Sequence, residues 1–144
     1  MTCILVGHDG SAASARAVEH AKKLALLIGD CKLHLAFVIE WSPYSFHTPE
    51  ELAERHKRRE AEVGAARSHV LDPAVKQLDG SGLEVTTEVR HGDPAVLLNE
   101  MAVKLGAEQV VIGRTGDSGL KDRLFGSVSS KLISISSVPV TIIP

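Results

Sequence analysis

The sequence has little cysteine and few aromatic residues. Cys3 and Cys31 are its two cysteines, which are too few for a disulfide framework and lack the paired spacing of a zinc site. Three Phe, one Tyr and one Trp offer little for stacking on nucleic-acid bases, and 16 basic against 18 acidic residues give a formal net charge of −2. We therefore expect reduced thiols, no structural metal and no nucleic-acid partner.

Long hydrophobic runs are also absent. No segment approaches the roughly 20 apolar residues that a membrane-spanning helix needs. The chain begins with a short apolar run, residues 3–6, that has neither a basic lead nor a cleavage site. These absences predict a cytoplasmic protein without membrane insertion, and 144 residues suffice for one domain, 1–144, with its own core.

What the sequence does contain is a regular alternation of strand and helix patterns. Short apolar or alternating segments predict five strands, at residues 2–7, 33–39, 83–89, 109–113 and 138–144. Helical spacing of apolar residues predicts four helices, at residues 11–29, 49–71, 94–105 and 125–135. Asp72-Pro73 either interrupts or restarts the second helix. This order predicts an α/β fold with a single parallel sheet and helices on both faces.

The polarity of the strands predicts their order in the sheet. Residues 2–7 and 109–113 are the most continuously apolar of the five segments, as central strands are. Glu84 and Glu88 give the third strand one polar face. Pro139 cannot donate a backbone hydrogen bond to a neighbouring strand, so the third and the last strand both belong at edges of the sheet. An order of 3-2-1-4-5 suits all five strands.

In that order, the direction in which successive strands are added to the sheet reverses between strands one and four. This place is the switch point of the sheet, and ligands bind beyond the carboxyl ends of the strands there. Those ends are residues 8–11 and a loop with Gly113, Gly116 and, after nine further residues, Gly126-Ser127. Glycines let a backbone approach a ligand closely, and a Gly-Ser at a helix N-terminus presents donors to phosphate; alternatively, the glycines only turn the chain. The loop is neither a P-loop nor a dinucleotide-binding fingerprint.

The spacing of this loop resembles, without a gap, the G-x2-G-x9-G-[S/T] nucleotide loop of the universal stress protein family. Asp9-Gly10-Ser11, Gly92-Asp93-Pro94, Gly119-Leu120 and Pro139-Val140 also look like that family, so the resemblance covers the whole chain. It implies a Rossmann-like fold of the adenine nucleotide alpha hydrolase type. It also implies binding of ATP, ADP or AMP, alone or with Mg²⁺, and a role in stress response through a nucleotide-dependent contact with a regulatory protein partner.

The resemblance further implies which residues form the site. Asp9 would serve the adenosine, the backbone of Val38 would bind adenine, and Ile112 would help to wall the pocket. The loop glycines and the start of the last helix would meet the ribose and the phosphates. The residues expected in the site are Asp9, Val38, Ile112, Gly113, Gly116, Gly126, Ser127, Val128 and Ser129.

Two residues depart from the family pattern. Gly7 stands where many relatives have proline, and Asp117 places an acid just inside the phosphate loop. Asp117 would repel phosphate unless it faces solvent or helps to hold a divalent ion.

The last strand predicts a homodimer. Val138, Val140 and Ile142 alternate along it, and residues 139–144 carry no charged side chain, so its edge invites pairing with another chain. The family resemblance implies that two last strands pair about a twofold axis.

An enzyme is the alternative interpretation. An ATP hydrolase or phosphotransferase needs a placed base, a metal site and often an extra cation. No such set assembles around His8 and His91, which are interpreted as loop histidines. We expect no catalytic residues and, at most, slow ATP hydrolysis.

Overall fold

The computed structural model describes residues 1–40, 49–114 and 127–144. Its strands are β1 (Thr2–Gly7), β2 (Cys31–Glu40), β3 (Glu84–Gly92), β4 (Gln109–Gly113) and β5 (Val140–Ile143). Its helices are α1 (Ala12–Ile28), α2 (Pro49–Ala66), α3 (Asp72–Gln77), α4 (Pro94–Leu105) and α5 (Ser127–Ile135). A π-helical turn, Arg67–Leu71, joins α2 to α3.

All five strands are parallel and lie in the order β3-β2-β1-β4-β5, as predicted. The centre of β1 is inaccessible to solvent on both faces, because Ile4, Leu5 and Val6 are 0% exposed. Glu84 of β3 is exposed. Polarity placed these strands correctly, because a central strand is covered by helices on both sides whereas an edge strand is not.

The helices cover both faces of the sheet and form two cores. On one face, α1, α3 and the π-helical turn bury a cluster that includes Val6, Leu33 and Val111. On the other face, α4 and α5 bury a cluster that includes Leu5 and Val110. No helix in the described ranges is long and apolar enough to cross a membrane.

The first helix begins and ends where the sequence predicts. Ser11 is the N-cap of α1, and its Oγ accepts the N–H of Ser14 at 3.1 Å. Gly29 ends the helix with a φ of 96°, a conformation that favours glycine, and donates its N–H to Ala25. These caps fix the entry of α1 directly after β1.

The second helix takes one of its two predicted courses, the restart at Asp72-Pro73. It does not stop at Asp72-Pro73 but continues through the π-helical turn into α3, and the N–H of Asp72 bonds to the carbonyl of Arg67, five residues back. Proline in a regular α-helix clashes with the carbonyl four residues back, and the wider turn just before Pro73 relieves that clash. The turn places Leu71, 1% exposed, in the core.

Some strand ends also differ in detail from the prediction. β2 is longer than predicted at both ends, and β5 begins at Val140 because Pro139 contributes only its carbonyl, which accepts the N–H of Val110 at 2.9 Å. Phe125, where the last predicted helix begins, lies outside the described residues.

Candidate functional site

The turn from β1 to α1 holds a carboxylate at the switch point of the sheet. Asp9 Oδ1 accepts the N–H of Ser11 at 2.9 Å and the hydroxyl of Ser14 at 2.7 Å. Partial burial of the carboxyl raises its pKa, but the hydrogen bonds from Ser11 and Ser14 outweigh this effect, and the net pKa of Asp9 is lowered. Its Oδ2 has no hydrogen-bond partner among the described residues. A charged oxygen is therefore available to a ligand.

The neighbouring His8 is buried in the same turn, with 8% of its surface exposed. Its Nδ1 accepts the N–H of Gly10 at 3.0 Å, and its own backbone N–H bonds to Ala36 at 2.8 Å. Burial lowers the pKa of His8, and the charge of Asp9 opposes this in part. The imidazole is thus favoured in its neutral form.

A cavity of about 300 Å³ lies beyond the carboxyl ends of β1 and β4. Its walls come from the β1–α1 turn, the end of β2, the start of α4, the end of β4 and the start of α5. The lining residues named by the sequence are Asp9, Val38, Ile112, Gly113, Ser127, Val128 and Ser129. The structure therefore brings these residues together, and their part in binding stays a prediction. Gly116 and Gly126 lie outside the described residues.

The backbone of Val38 faces this cavity. The N–H of His8 bonds to the carbonyl of Ala36, so Ala36 directs its polar groups toward β1. The backbone polar groups of successive residues in a strand point alternately to its two neighbours, so the N–H and C=O of Val38 point to the same side as those of Ala36. On that side β1 has already ended at Gly7. Among the described residues they have no backbone partner on that side. They form a donor–acceptor pair open to a ligand.

Two glycines allow the walls of the cavity to approach one another. A Cβ on Gly113 would lie 2.7 Å from Ala13 Cβ, and a Cβ on Gly7 would lie 2.9 Å from Ile112 Cγ2. Gly113 is therefore required by the contact of β4 with α1, whatever it contributes to a ligand. The contact at Gly7 leaves no room for a larger residue in the present arrangement.

The backbone of Arg114 is held by hydrogen bonds at both its N–H and its C=O. Its N–H bonds to the carbonyl of Ile143 in β5 at 2.7 Å, and its carbonyl accepts the hydroxyl of Ser129 at 3.1 Å. Ser129, 2% exposed, thus has a structural hydrogen bond within the predicted site. Arg114 also lines the cavity and is exposed.

A second cavity of about 320 Å³ adjoins the first. Its wall includes Asp93, which caps α4 and accepts a hydrogen bond from Lys131 of α5. The hydrogen bond from Lys131 is the main reason why the pKa of Asp93 is lowered. The two cavities share the lining residues Glu40, Pro94, Ser127 and Val128.

Sequence reasoning missed several residues of the cavity. The sequence interpretation treats His8 as a loop histidine and does not single out Ser14 or Glu40, although all three line the cavity. Their positions beside the predicted strand ends were the available signal. His91, by contrast, lies in β3 rather than in a loop, and its Nε2 is 2.9 Å from Glu62 Oε2.

Metal ligands do not gather in the described part of the chain. There, no group of three or more His, Cys, Asp and Glu side chains is arranged to hold an ion. Asp117, the sequence candidate for a divalent ion, lies outside the described residues.

The sheet order and the cavity at its switch point define a doubly wound α/β protein with a cleft at the carboxyl edge of the sheet. The chain belongs to the universal stress protein family, because the model of that family matches residues 1–144. Universal stress protein MJ0531 of Methanocaldococcus jannaschii is 30% identical over 140 residues, which cover 97% of this chain and 80% of that protein.

Solved structures share the fold along the whole chain. UspA from Lactobacillus plantarum superposes with a TM-score of 0.81 at 25% identity, covering 99% of this chain and 97% of that chain. A universal stress protein in complex with cAMP superposes with a TM-score of 0.69 at 25% identity, covering 99% and 95%. The predicted family and the predicted Rossmann-like fold are confirmed.

Proposed function

We propose that this chain binds an adenine nucleotide in the cleft and acts in stress response as a regulatory protein, whose contact with another protein depends on the bound nucleotide. The observation that carries the proposal is the unpartnered backbone edge of Val38 beside the Asp9 carboxylate in one cavity. The family member solved with cAMP supports the same ligand class.

The polar groups of the cleft match the chemistry of adenosine. Adenine presents an amino donor beside a ring-nitrogen acceptor, which suits the C=O and N–H of Val38. The free Oδ2 of Asp9 is an acceptor for a hydroxyl or amino group. Ile112 and Val128 supply apolar lining.

The phosphates belong at the start of α5. Ser127 begins this helix and lines the cavity, and a helix N-terminus offers N–H donors and a partial positive charge to an anion. ATP with Mg²⁺ is the finer form of the proposal, and it relies on the loop motif of Gly113, Gly116, Gly126 and Ser127.

We further propose that two copies pair through β5, which lies at one end of the sheet. Pro139 and Ile143 direct their carbonyls to β4, so the N–H and C=O groups of Val140 and Ile142 point to the open edge. An uncharged edge of this kind favours strand pairing.

Titration calorimetry tests the binding proposal with an isosteric pair of variants. Asp9→Asn keeps one oxygen for Ser11 and Ser14 but replaces the free carboxylate oxygen, so we expect ATP and AMP affinity to fall at least about tenfold, or about 1.4 kcal/mol. Asp79→Asn removes the same charge at an exposed position and should bind like wild type.

Wild-type protein that binds no adenine nucleotide at millimolar ligand, or that binds GTP equally well, would contradict the proposal. Equal affinities of Asp9→Asn and Asp79→Asn would remove Asp9 from the site. Melting temperatures of both variants show whether a loss of affinity is a loss of fold.

A further inference from the structure

His8 is a buried polar side chain that the proposed contacts of the cleft do not use. It lines the cavity, is 8% exposed, and directly precedes Asp9. Buried polar groups in folded proteins nearly always have partners, so a buried nitrogen without one requires an explanation.

The hydrogen bonds of the turn determine where the proton of His8 lies. Nδ1 accepts the N–H of Gly10 at 3.0 Å, so Nδ1 carries a lone pair and the neutral ring carries its hydrogen on Nε2. Among the described residues, Nε2–H has no acceptor. The turn therefore holds a buried donor of fixed tautomer at the wall of the cleft.

We propose that His8 is a specificity-determining residue, whose neutral imidazole donates Nε2–H to an acceptor of the bound nucleotide, either a ring nitrogen of the base or a hydroxyl oxygen of the ribose. This inference rests on the proposed function, because it names a contact of the same site.

The surroundings of His8 keep this donor in place at neutral pH. Burial lowers its pKa, with Asp9 as the opposing charge, and Glu40 and Arg114 are the other charged residues in the described lining of the cavity. Protonation would put a second N–H on Nδ1, facing the N–H of Gly10, and would break the turn. Nucleotide affinity should therefore fall as the solution becomes acidic.

Substitution of His8 by Asn or by Gln distinguishes the roles of the two ring nitrogens. In His8→Asn the side-chain oxygen takes the place of Nδ1 and can still accept from Gly10, but the donor at Nε2 is lost. In His8→Gln the side-chain nitrogen reaches the place of Nε2, while the acceptor for Gly10 is lost. We expect ATP affinity to fall at least about fivefold in His8→Asn, or about 1 kcal/mol, and less in His8→Gln.

Calorimetry with ATP at about pH 7.5 and at a series of lower pH values gives the second readout, and the series extends well below the usual histidine pKa of about 6.5 because burial lowers the pKa of His8. Wild type should lose affinity at the lower pH values, and His8→Asn should lose less. Wild-type affinity in His8→Asn at the higher pH overturns the inference while leaving the proposed function standing. Wild type that binds no adenine nucleotide overturns both.

Nucleotide analogues distinguish the base from the ribose as the acceptor. The 1-deaza, 3-deaza and 7-deaza analogues each lack one ring nitrogen, and the 2′-deoxy and 3′-deoxy analogues each lack one hydroxyl. The analogue that loses affinity in wild type but not further in His8→Asn identifies the acceptor. If each of the five analogues loses as much affinity in His8→Asn as in wild type, the proposed contact of His8 with the nucleotide is overturned.

Discussion

Gly7 and Gly113 set how closely the elements around the cleft approach one another. A Cβ added at either position would lie within 3.0 Å of a neighbouring side chain. At Gly113 the added Cβ would also lie only 3.0 Å from the backbone of Ala13. A backbone neighbour cannot move aside as the end of a flexible side chain can. The effect of a substitution should therefore be larger at Gly113 than the single added methyl suggests.

We expect Gly113→Ala to destabilise the fold by about 1–3 kcal/mol through overpacking. Gly64→Ala is the matched control, because Gly64 lies within α2 with nothing inside 4 Å of its Cβ position. Alanine there should stabilise the helix by about 0.5–1 kcal/mol. Urea denaturation of both variants measures the difference, and a neutral Gly113→Ala would show that α1 and β4 separate easily.

The residues of the cleft were predictable only in part. Val38 and Ile112 are expected from the family resemblance, and the strand order explains their place, because it fixes which strand ends border the cavity. Ser14 does not follow from it, since its hydroxyl reaches Asp9 only when the turn and the first turn of α1 are both built. The tautomer of His8 likewise depends on the position of the Gly10 N–H, which sequence spacing does not specify.

At the scale of elements, α1 and α2 differ in how much they bury. Six residues of α1 are buried, whereas Ala66 is the one buried residue of α2. Polar contacts with β3, such as Glu62 with His91 at 2.9 Å, hold α2 in place. Exposed polar contacts of this kind contribute little to stability.

Hydrogen exchange should therefore separate the two helices. Amides of α1 should exchange only with global unfolding, and those of α2 should exchange faster by local opening, since few apolar contacts oppose it. Exchange followed by mass spectrometry on peptides from the two helices measures this. Equal protection would mean that another surface covers α2 in solution.

The course of α2 shows why this element was harder to predict than α1. The sequence carries clear caps at both ends of α1, and the structure has them. At Asp72-Pro73 a stop and a widened turn satisfy proline equally well. The choice depends on tertiary packing, because the π-helical turn lets Val70 and Leu71 reach the core of the sheet.

At the scale of the whole molecule, the open edge of β5 can be tested by removing one donor. The N–H of Val140 points to the open edge, so Val140→Pro should abolish strand pairing without removing a β4–β5 hydrogen bond. Thr141→Pro, which removes a donor that points to β4, should destabilise the monomer instead. Light scattering at tens of micromolar gives the mass, and circular dichroism checks the fold. A monomeric wild type would contradict the proposed dimer.

Arg114, which lines the cleft, donates its backbone N–H to Ile143 in the edge strand β5. If the proposed ligand displaced Arg114, this hydrogen bond and the one from the Ser129 hydroxyl would carry the displacement to Ile143 of the edge strand and to Ser129 of α5. When binding and dimerisation are linked in this way, each alters the other by the same factor. Nucleotide affinity would then rise or fall with the concentration of the protein itself, so that the amount of protein present would set the nucleotide level to which it responds.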